Sequence, residues 1–176
     1  NIHKEPFFDC PLIKMLKFKY SFGKDGNSKI DGSTAKGTYS YSDTYSYMGI
    51  AGAVIGSVPN PGLSWESTYK NNAGLRVELR DIMDIELEGY YYKTENLLSK
   101  VYVSRTITDA SVHANIGEIM NQGLELTLTT YNISRKNFRW TTVLNMSHNE
   151  NRILKLYNGN STGFFTTVWM EGHDKN

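Results

Sequence analysis

The feature that most constrains this chain is the run Gly123-Leu-Glu-Leu-Thr-Leu-Thr-Thr130, where Leu124, Leu126 and Leu128 alternate strictly with Glu125, Thr127 and Thr129. A period of two puts successive side chains on opposite faces of an extended strand, whereas a helix would scatter these leucines around its circumference. One face of the strand is therefore apolar and the other polar. Gly117 and Gly123 punctuate the approach from Asn115, as at a bulge or where another backbone comes close.

Other segments repeat the pattern. Leu16, Phe18, Tyr20 and Phe22 alternate with Lys17, Lys19 and Ser21; Leu75, Val77 and Leu79 with Arg76, Glu78 and Arg80. Ile85, Leu87, Gly89 and Tyr91 oppose Glu86, Glu88, Tyr90 and Tyr92, and Trp140, Leu144 and Met146 oppose Arg139, Thr141 and Asn145. The alternation predicts strands over about 13–22, 65–80, 83–95, 122–131 and 138–149, with a further strand start at Phe164–Met170. Short links at 81–84 and 132–137 alternate with long loops at 23–64 and 96–121. Gly23-Lys-Asp-Gly-Asn27 and Pro59-Asn-Pro-Gly62 supply turn chemistry in the first of those loops. The expected fold is all-β: an antiparallel up-and-down meander with long loops at one end.

Composition narrows the surroundings. The 176 residues suffice for one domain, and Lys+Arg 19 against Asp+Glu 18 creates no field that favours nucleic acid. Cys10 is the only cysteine, which excludes an internal disulfide scaffold and a thiolate metal cluster. No leader sequence is visible at Asn1, and the chain reads as an excised piece. The longest apolar stretch, Met48–Val58, is too short for a membrane helix, which leaves membrane strands open. Lys, Arg, Glu and Asn recur on the polar face. A soluble sandwich with one wet face and a membrane barrel with a wet lumen both satisfy that alternation. Long strands, one-ended loops and aromatic ends at Trp65, Tyr90–Tyr92, Phe138 and Trp140 favour the barrel.

Few residues suggest chemistry. Asp25-Gly-Asn-Ser-Lys-Ile-Asp-Gly32 has Lys29 where a calcium loop needs an oxygen ligand and reads as a turn; Gly32–Gly37 lacks the phosphate-loop ending. His3, His113, His148 and His173 are scattered without metal-ligand spacing, and no serine has a nucleophile context. Glu86, Glu88 and Glu125 read as solvated groups on the polar face rather than a catalytic pair. No catalytic residue, metal or cofactor is expected. Tyr39, Tyr41, Tyr45 and Tyr47 are the ligand-binding candidates, since tyrosine joins a flat apolar ring to a polar tip and suits stacking on sugars or contact with peptides.

Four ordered motifs between Leu16 and Asn151 carry a resemblance. They are Leu16-Lys-Phe-Lys-Tyr-Ser-Phe-Gly-Lys-Asp-Gly-Asn27, Asn60-Pro-Gly-Leu-Ser-Trp-Glu66 with Asn72-Ala-Gly-Leu75, Gly89-Tyr-Tyr-Tyr-Lys-Thr-Glu-Asn-Leu-Leu98, and Asn115-Ile-Gly-Glu-Ile-Met-Asn-Gln-Gly-Leu-Glu125. They resemble the barrel of SusC/RagA-type TonB-dependent outer-membrane transporters, with Gly89 and Asn96 replacing acidic residues of that family's pattern. The resemblance implies that residues 1–176 are part of such a β-barrel domain, from its C-terminal part. It implies import of glycans or peptides through the bacterial outer membrane. A SusD-like surface lipoprotein lid would act with it, and energy would come from TonB through a plug domain absent here. Lid contact is expected on loops 23–64 and 96–121. The alternative is a soluble β-sandwich that binds carbohydrate. Five strands cannot close a membrane barrel. The isolated piece is therefore expected to pair its edges with a second copy or cover them with its loops, so a monomer with bare edges in light scattering would contradict the expectation.

Overall fold

A computed structural model describes residues 2, 5, 8, 10–27, 35–102, 111–156 and 172, with the backbone alone at 42–45, 102 and 111. Seven strands account for most of them: β1 Ile13–Asn27, β2 Thr38–Tyr47, β3 Ile50–Ser57, β4 Glu66–Leu79, β5 Met83–Tyr102, β6 Ser111–Arg135 and β7 Phe138–Lys155. Hydrogen bonding orders them β1-β4-β5-β6-β3-β2, and β7 pairs with β6. Among the described residues β1 thus has a strand neighbour on one side only.

The strands outrun the alternation that announced them. β1 continues to Asn27 through the expected turn residues, because Asn27 Nδ2 donates to Glu66 Oε2 at 2.8 Å and Gly26 sits beside the Trp65 indole. Pairing overrides local turn preference there. The expected loop 23–64 contains a hairpin, β2–β3, with Tyr39 opposite Ile55 and Tyr41 opposite Ala53. Its two-residue turn places both Met48 (φ 51°) and Gly49 (φ 78°) in the left-handed region, the geometry that suits the twist of a tight hairpin. The expected loop 96–121 is also mostly strand, since β5 runs to Tyr102 and β6 starts at Ser111. One parallel bridge, Ser57 to Ser111, interrupts the otherwise antiparallel order. The expected strand start at Phe164–Met170, most of the calcium-like segment, His3 and His173 lie outside the described residues.

The chain divides into two compact units. The first comprises 1–24, 69–93 and 120–151, the second 25–68, 94–119 and 152–176. In the first unit the alternation holds across strands. Backbone pairing between Tyr131 N–H and Ile82 O (2.9 Å) sets the β5–β6 register, and Tyr90 lies opposite Gly123. The apolar face is open: Phe18 is 57% exposed, Leu124 52%, Trp140 55% and Met146 58%. Among the described residues only Ile119, Met120, Ile153 and Leu156 are buried apolar side chains, three of them in the second unit. A sandwich would bury one whole face of its sheet. This sheet does not.

Candidate functional site on the polar face

In the first unit, β4, β5 and β6 bring their polar residues into rows. Tyr92 Oη donates to Asn72 Oδ1 at 2.7 Å and Tyr90 Oη donates to Asn149 Oδ1 at 2.9 Å. The two rings lie 4.9 Å apart, inclined by 31°, and Lys70 Nζ stands 5.8 Å from the centre of the Tyr92 ring, within cation–π range. Both rings are thereby fixed at their polar tips. Gly123 makes the Tyr90 pose possible: a Cβ there would lie 2.6 Å from two Tyr90 ring carbons and 2.7 Å from Asn149 Oδ1.

One step nearer the short turns, Gly74 carries no side chain, and the space it leaves is part of a cavity of about 480 Å³. Lys19, Ser21, Asn72, Glu88, Tyr92 and Glu125 line it. Because Tyr90 is opposite Gly123, moving two residues along each strand puts Glu88 opposite Glu125. Both carboxylates are exposed, as expected for solvated groups on the wet face. At the short-turn end Tyr131 Oη donates to Asp84 Oδ2 at 2.7 Å, and Arg76 pairs with Glu78 at 2.9 Å. Among the described residues no three His, Cys, Asp or Glu side chains converge as a metal site.

The opposite face of the same strands is hollowed at Gly89, where Phe18, Tyr20, Leu75, Leu87 and Leu124 surround a depression of about 620 Å³. Two polar pairs bracket this apolar face. Gln122 Nε2 donates to Glu150 Oε2 and Asn132 Nδ2 donates to Thr142 Oγ1, each at 2.7 Å.

The second unit holds a clasp of amides. Asn115 Oδ1 accepts from Ser64 N–H at 2.7 Å, while its Nδ2 donates to Ser64 O at 2.7 Å and Asn96 O at 2.8 Å. Asn96 adopts φ 58°, a left-handed conformation asparagine tolerates, which turns its carbonyl toward that amide. Asn60 Nδ2 donates to His113 O at 2.8 Å, and Glu66 Oε1 accepts from Leu98 N–H at 2.8 Å. Asn60, Glu66, Asn96 and Asn115 all belong to the motifs quoted from the sequence. Their spacing was visible, but not that three separate stretches meet through side-chain amides.

The four candidate tyrosines lie in the second unit, on β2, outside the polar-face cavity. Tyr39 is 68% exposed, and Tyr41 and Tyr47 are each 77% exposed; Tyr45 is described by its backbone alone. Tyr39, Tyr41 and Tyr47 present open aromatic side chains along this strand. Asn72, Gly74, Tyr92 and Gly123 were not singled out as a site from the sequence, although alternation had already put Tyr90 and Tyr92 on one face with Glu86 and Glu88.

Known proteins are similar to this chain in sequence and fold. Residues 20–168 match the family model described as TonB dependent receptor-like, beta-barrel. The chain is 32% identical over 164 residues to TonB-dependent receptor P3 of Formosa agariphila, covering 90% of this chain and 16% of that protein. It is 29% identical to TonB-dependent receptor SusC of Bacteroides thetaiotaomicron, covering 99% of this chain and 18% of SusC. Among solved structures, the RagAB peptide importer in its open-open state superposes with a TM-score of 0.79 at 25% identity, over 98% of this chain and 19% of that one. The chain thus spans less than a fifth of the length of each of these proteins.

Proposed function

This chain belongs to the TonB-dependent receptor-like β-barrel family, in its SusC and RagA branch, and from that premise we propose that it is a wall segment of an outer-membrane active importer. The apolar face meets lipid, the polar face lines a wet lumen, and the longer connections reach the cell exterior. The imported substrate is a glycan or a peptide, captured with a SusD-like surface lipoprotein. TonB supplies energy through a plug domain outside this chain. Similarity to the RagAB peptide importer supports the peptide class, and the glycan class rests on the SusC-type resemblance of the sequence motifs.

The observation that carries this reading is the length of the apolar band. On β6 nine positions, 123–131, lie between the polar pairs Gln122–Glu150 and Asn132–Thr142. About nine to eleven residues of tilted strand cross a bilayer core. Phe138 and Trp140 lie at the short-turn end of β7, beside or beyond the second polar pair, where aromatic girdles sit in membrane barrels. Each pair satisfies polar groups that would otherwise cost several kcal/mol in hydrocarbon, roughly.

The full-length receptor is expected in the outer-membrane fraction, with oligosaccharide or peptide uptake that stops when TonB is depleted. Uptake that persists without TonB would sink the importer reading. Tyr39, Tyr41, Tyr45 and Tyr47 are proposed ligand contacts, and replacing all four by alanine in that same assay is expected to reduce uptake. Unchanged uptake would remove them from the site.

A further inference from the structure

We infer that Asn60 is a positioning residue for uptake, the tie that holds the β2–β3 hairpin against β6. The inference deepens the importer reading and rests on it, because β2 carries Tyr39, Tyr41, Tyr45 and Tyr47, the proposed ligand contacts. Every contact that carries it lies within the second unit.

The hairpin meets β6 where backbone donors run out. Ser57, the last residue of β3, pairs with Ser111 of β6 in a parallel bridge. Just beyond it, Pro59 and Pro61 have no N–H, and the N–H of Asn60 is turned away to Ala35 O at 3.1 Å. Residues 59–61 thus offer β6 no backbone donor. The Asn60 side chain supplies one: its Nδ2 donates to His113 O at 2.8 Å, two residues past the bridge on β6.

The same residue closes the base of the hairpin. Its N–H, bonded to Ala35 O, joins the chain that enters the hairpin to the chain that leaves it. Its Oδ1 accepts from Gly62 N–H at 3.1 Å and its carbonyl accepts from Leu63 N–H at 3.2 Å, which fixes the turn that follows. Beside this base Thr38 and Ser57 share a hydroxyl contact at 3.0 Å. Gly37, at φ 74°, passes so near that a Cβ would stand 2.9 Å from both Pro59 Cδ and Ser57 O. The two legs of the hairpin are therefore set together and set against β6 by one amide.

Strand pairing carries that setting outward. Tyr39 lies opposite Ile55 and Tyr41 opposite Ala53, so these two rings, two residues apart, share a face. A ligand that must meet several rings at once binds in proportion to the fraction of time the hairpin holds the competent orientation. Asparagine suits the position because it donates and accepts at once. Aspartate keeps the acceptor for Gly62 N–H but has no donor for His113 O, and alanine keeps neither.

The test compares wild type, Asn60→Asp, and Asn60→Asp tethered by Ser57→Cys with Ser111→Cys, each as full-length receptor. Partners in register on neighbouring strands stand about 4.8 Å apart, within the Cα spacing that a disulfide spans. In detergent, amide hydrogen exchange read by mass spectrometry is expected to quicken about fivefold over 38–42 and 52–57 in Asn60→Asp, as loss of one hydrogen bond implies. Exchange over residues 124–128 of β6 is expected to stay at the wild-type rate. In cells, uptake of casein tryptic peptides is expected to show KM raised about twofold at constant maximal rate, as for a hairpin competent half of the time. The oxidised tether is expected to restore both readouts, and its reduction to undo the rescue.

Wild-type exchange at the hairpin of Asn60→Asp would overturn the proposal. So would exchange that quickens equally along β6, or a KM that the tether leaves raised. Exchange is measured without transport, which separates the two readings: a wild-type receptor that imports no casein peptide counts against the importer, while the hairpin amides decide the role of Asn60.

Discussion

Replacing Asn115 by alanine in the full-length receptor is expected to lower its unfolding free energy by about 2–3 kcal/mol, because three hydrogen bonds of about 1 kcal/mol each are lost. The bonds are the two reciprocal contacts with the Ser64 backbone and the donation to Asn96 O. Asn115 is only partly exposed, so water replaces part of what the amide provided. Aspartate is the sharper probe. It keeps an acceptor for Ser64 N–H but turns the two donated contacts, at 2.7 and 2.8 Å, into a carboxylate facing carbonyl oxygens. Asn115→Asp is therefore expected to be at least as damaging as alanine at neutral pH. Those carbonyls disfavour the ionised form and raise the folded-state pKa of the new carboxyl above its unfolded value of about 3.9. The sign follows: stability relative to wild type is recovered below the unfolded pKa and lost as pH rises through the folded one. Urea midpoints of the heat-modifiable band at pH 4 and pH 7.5 check this. Equal midpoints for wild type, alanine and aspartate would show that the clasp contributes nothing.

The clasp also marks what sequence reading could and could not reach. Period-two alternation was enough to place β1, β4, β5, β6 and β7, because each has one apolar face whose register cannot slip by one residue without turning its leucines over. It failed at the strand ends. Beyond Phe22 the residues are polar on both faces, and beyond Glu95 and Asn149 the apolar residues stand side by side (Leu97-Leu98, Ile153-Leu154) instead of alternating, so no period of two marks these ends, yet the backbone goes on pairing to Asn27, Tyr102 and Lys155. The β2–β3 hairpin escaped for a related reason. Its tyrosines and serines resemble loop composition, and its turn, Met48-Gly49, lacks the asparagine or aspartate that usually announces a two-residue hairpin. Long-range side-chain amides such as Asn60 to His113 join stretches 53 residues apart, and local pattern carries no information about them. The resemblance motifs named the right residues without supplying the contacts.

Gly123→Ala and Gly89→Ala, substitutions at two glycines in neighbouring register on one sheet, are expected to behave oppositely. At Gly89 a Cβ would meet Leu124 Cδ1 at 3.6 Å and Gly123 O at 3.8 Å, both ordinary contacts, so alanine fits. A glycine in a strand interior costs roughly 0.5–1 kcal/mol of chain entropy relative to alanine, which makes Gly89→Ala neutral or mildly stabilising. At Gly123 the same methyl would stand 2.6 Å from Cε1 and Cζ of Tyr90 and 2.7 Å from Asn149 Oδ1. The ring can escape only by swinging away, which breaks its 2.9 Å bond to Asn149 and its contact with Tyr92. Overpacking of this kind costs about 1–3 kcal/mol. Tyr90→Ala alone also destabilises, since it removes the hydrogen bond and uncovers the Gly123 backbone. Together the two changes remove the collision, so the double variant is expected to cost less than the sum of the singles, by about 1 kcal/mol or more. Urea unfolding of the four members of the cycle measures that coupling. Additive costs would mean that the ring does not rest on Gly123. The leucine-rich strand from which the fold was first legible depends, on its polar face, on one position where only a hydrogen side chain fits.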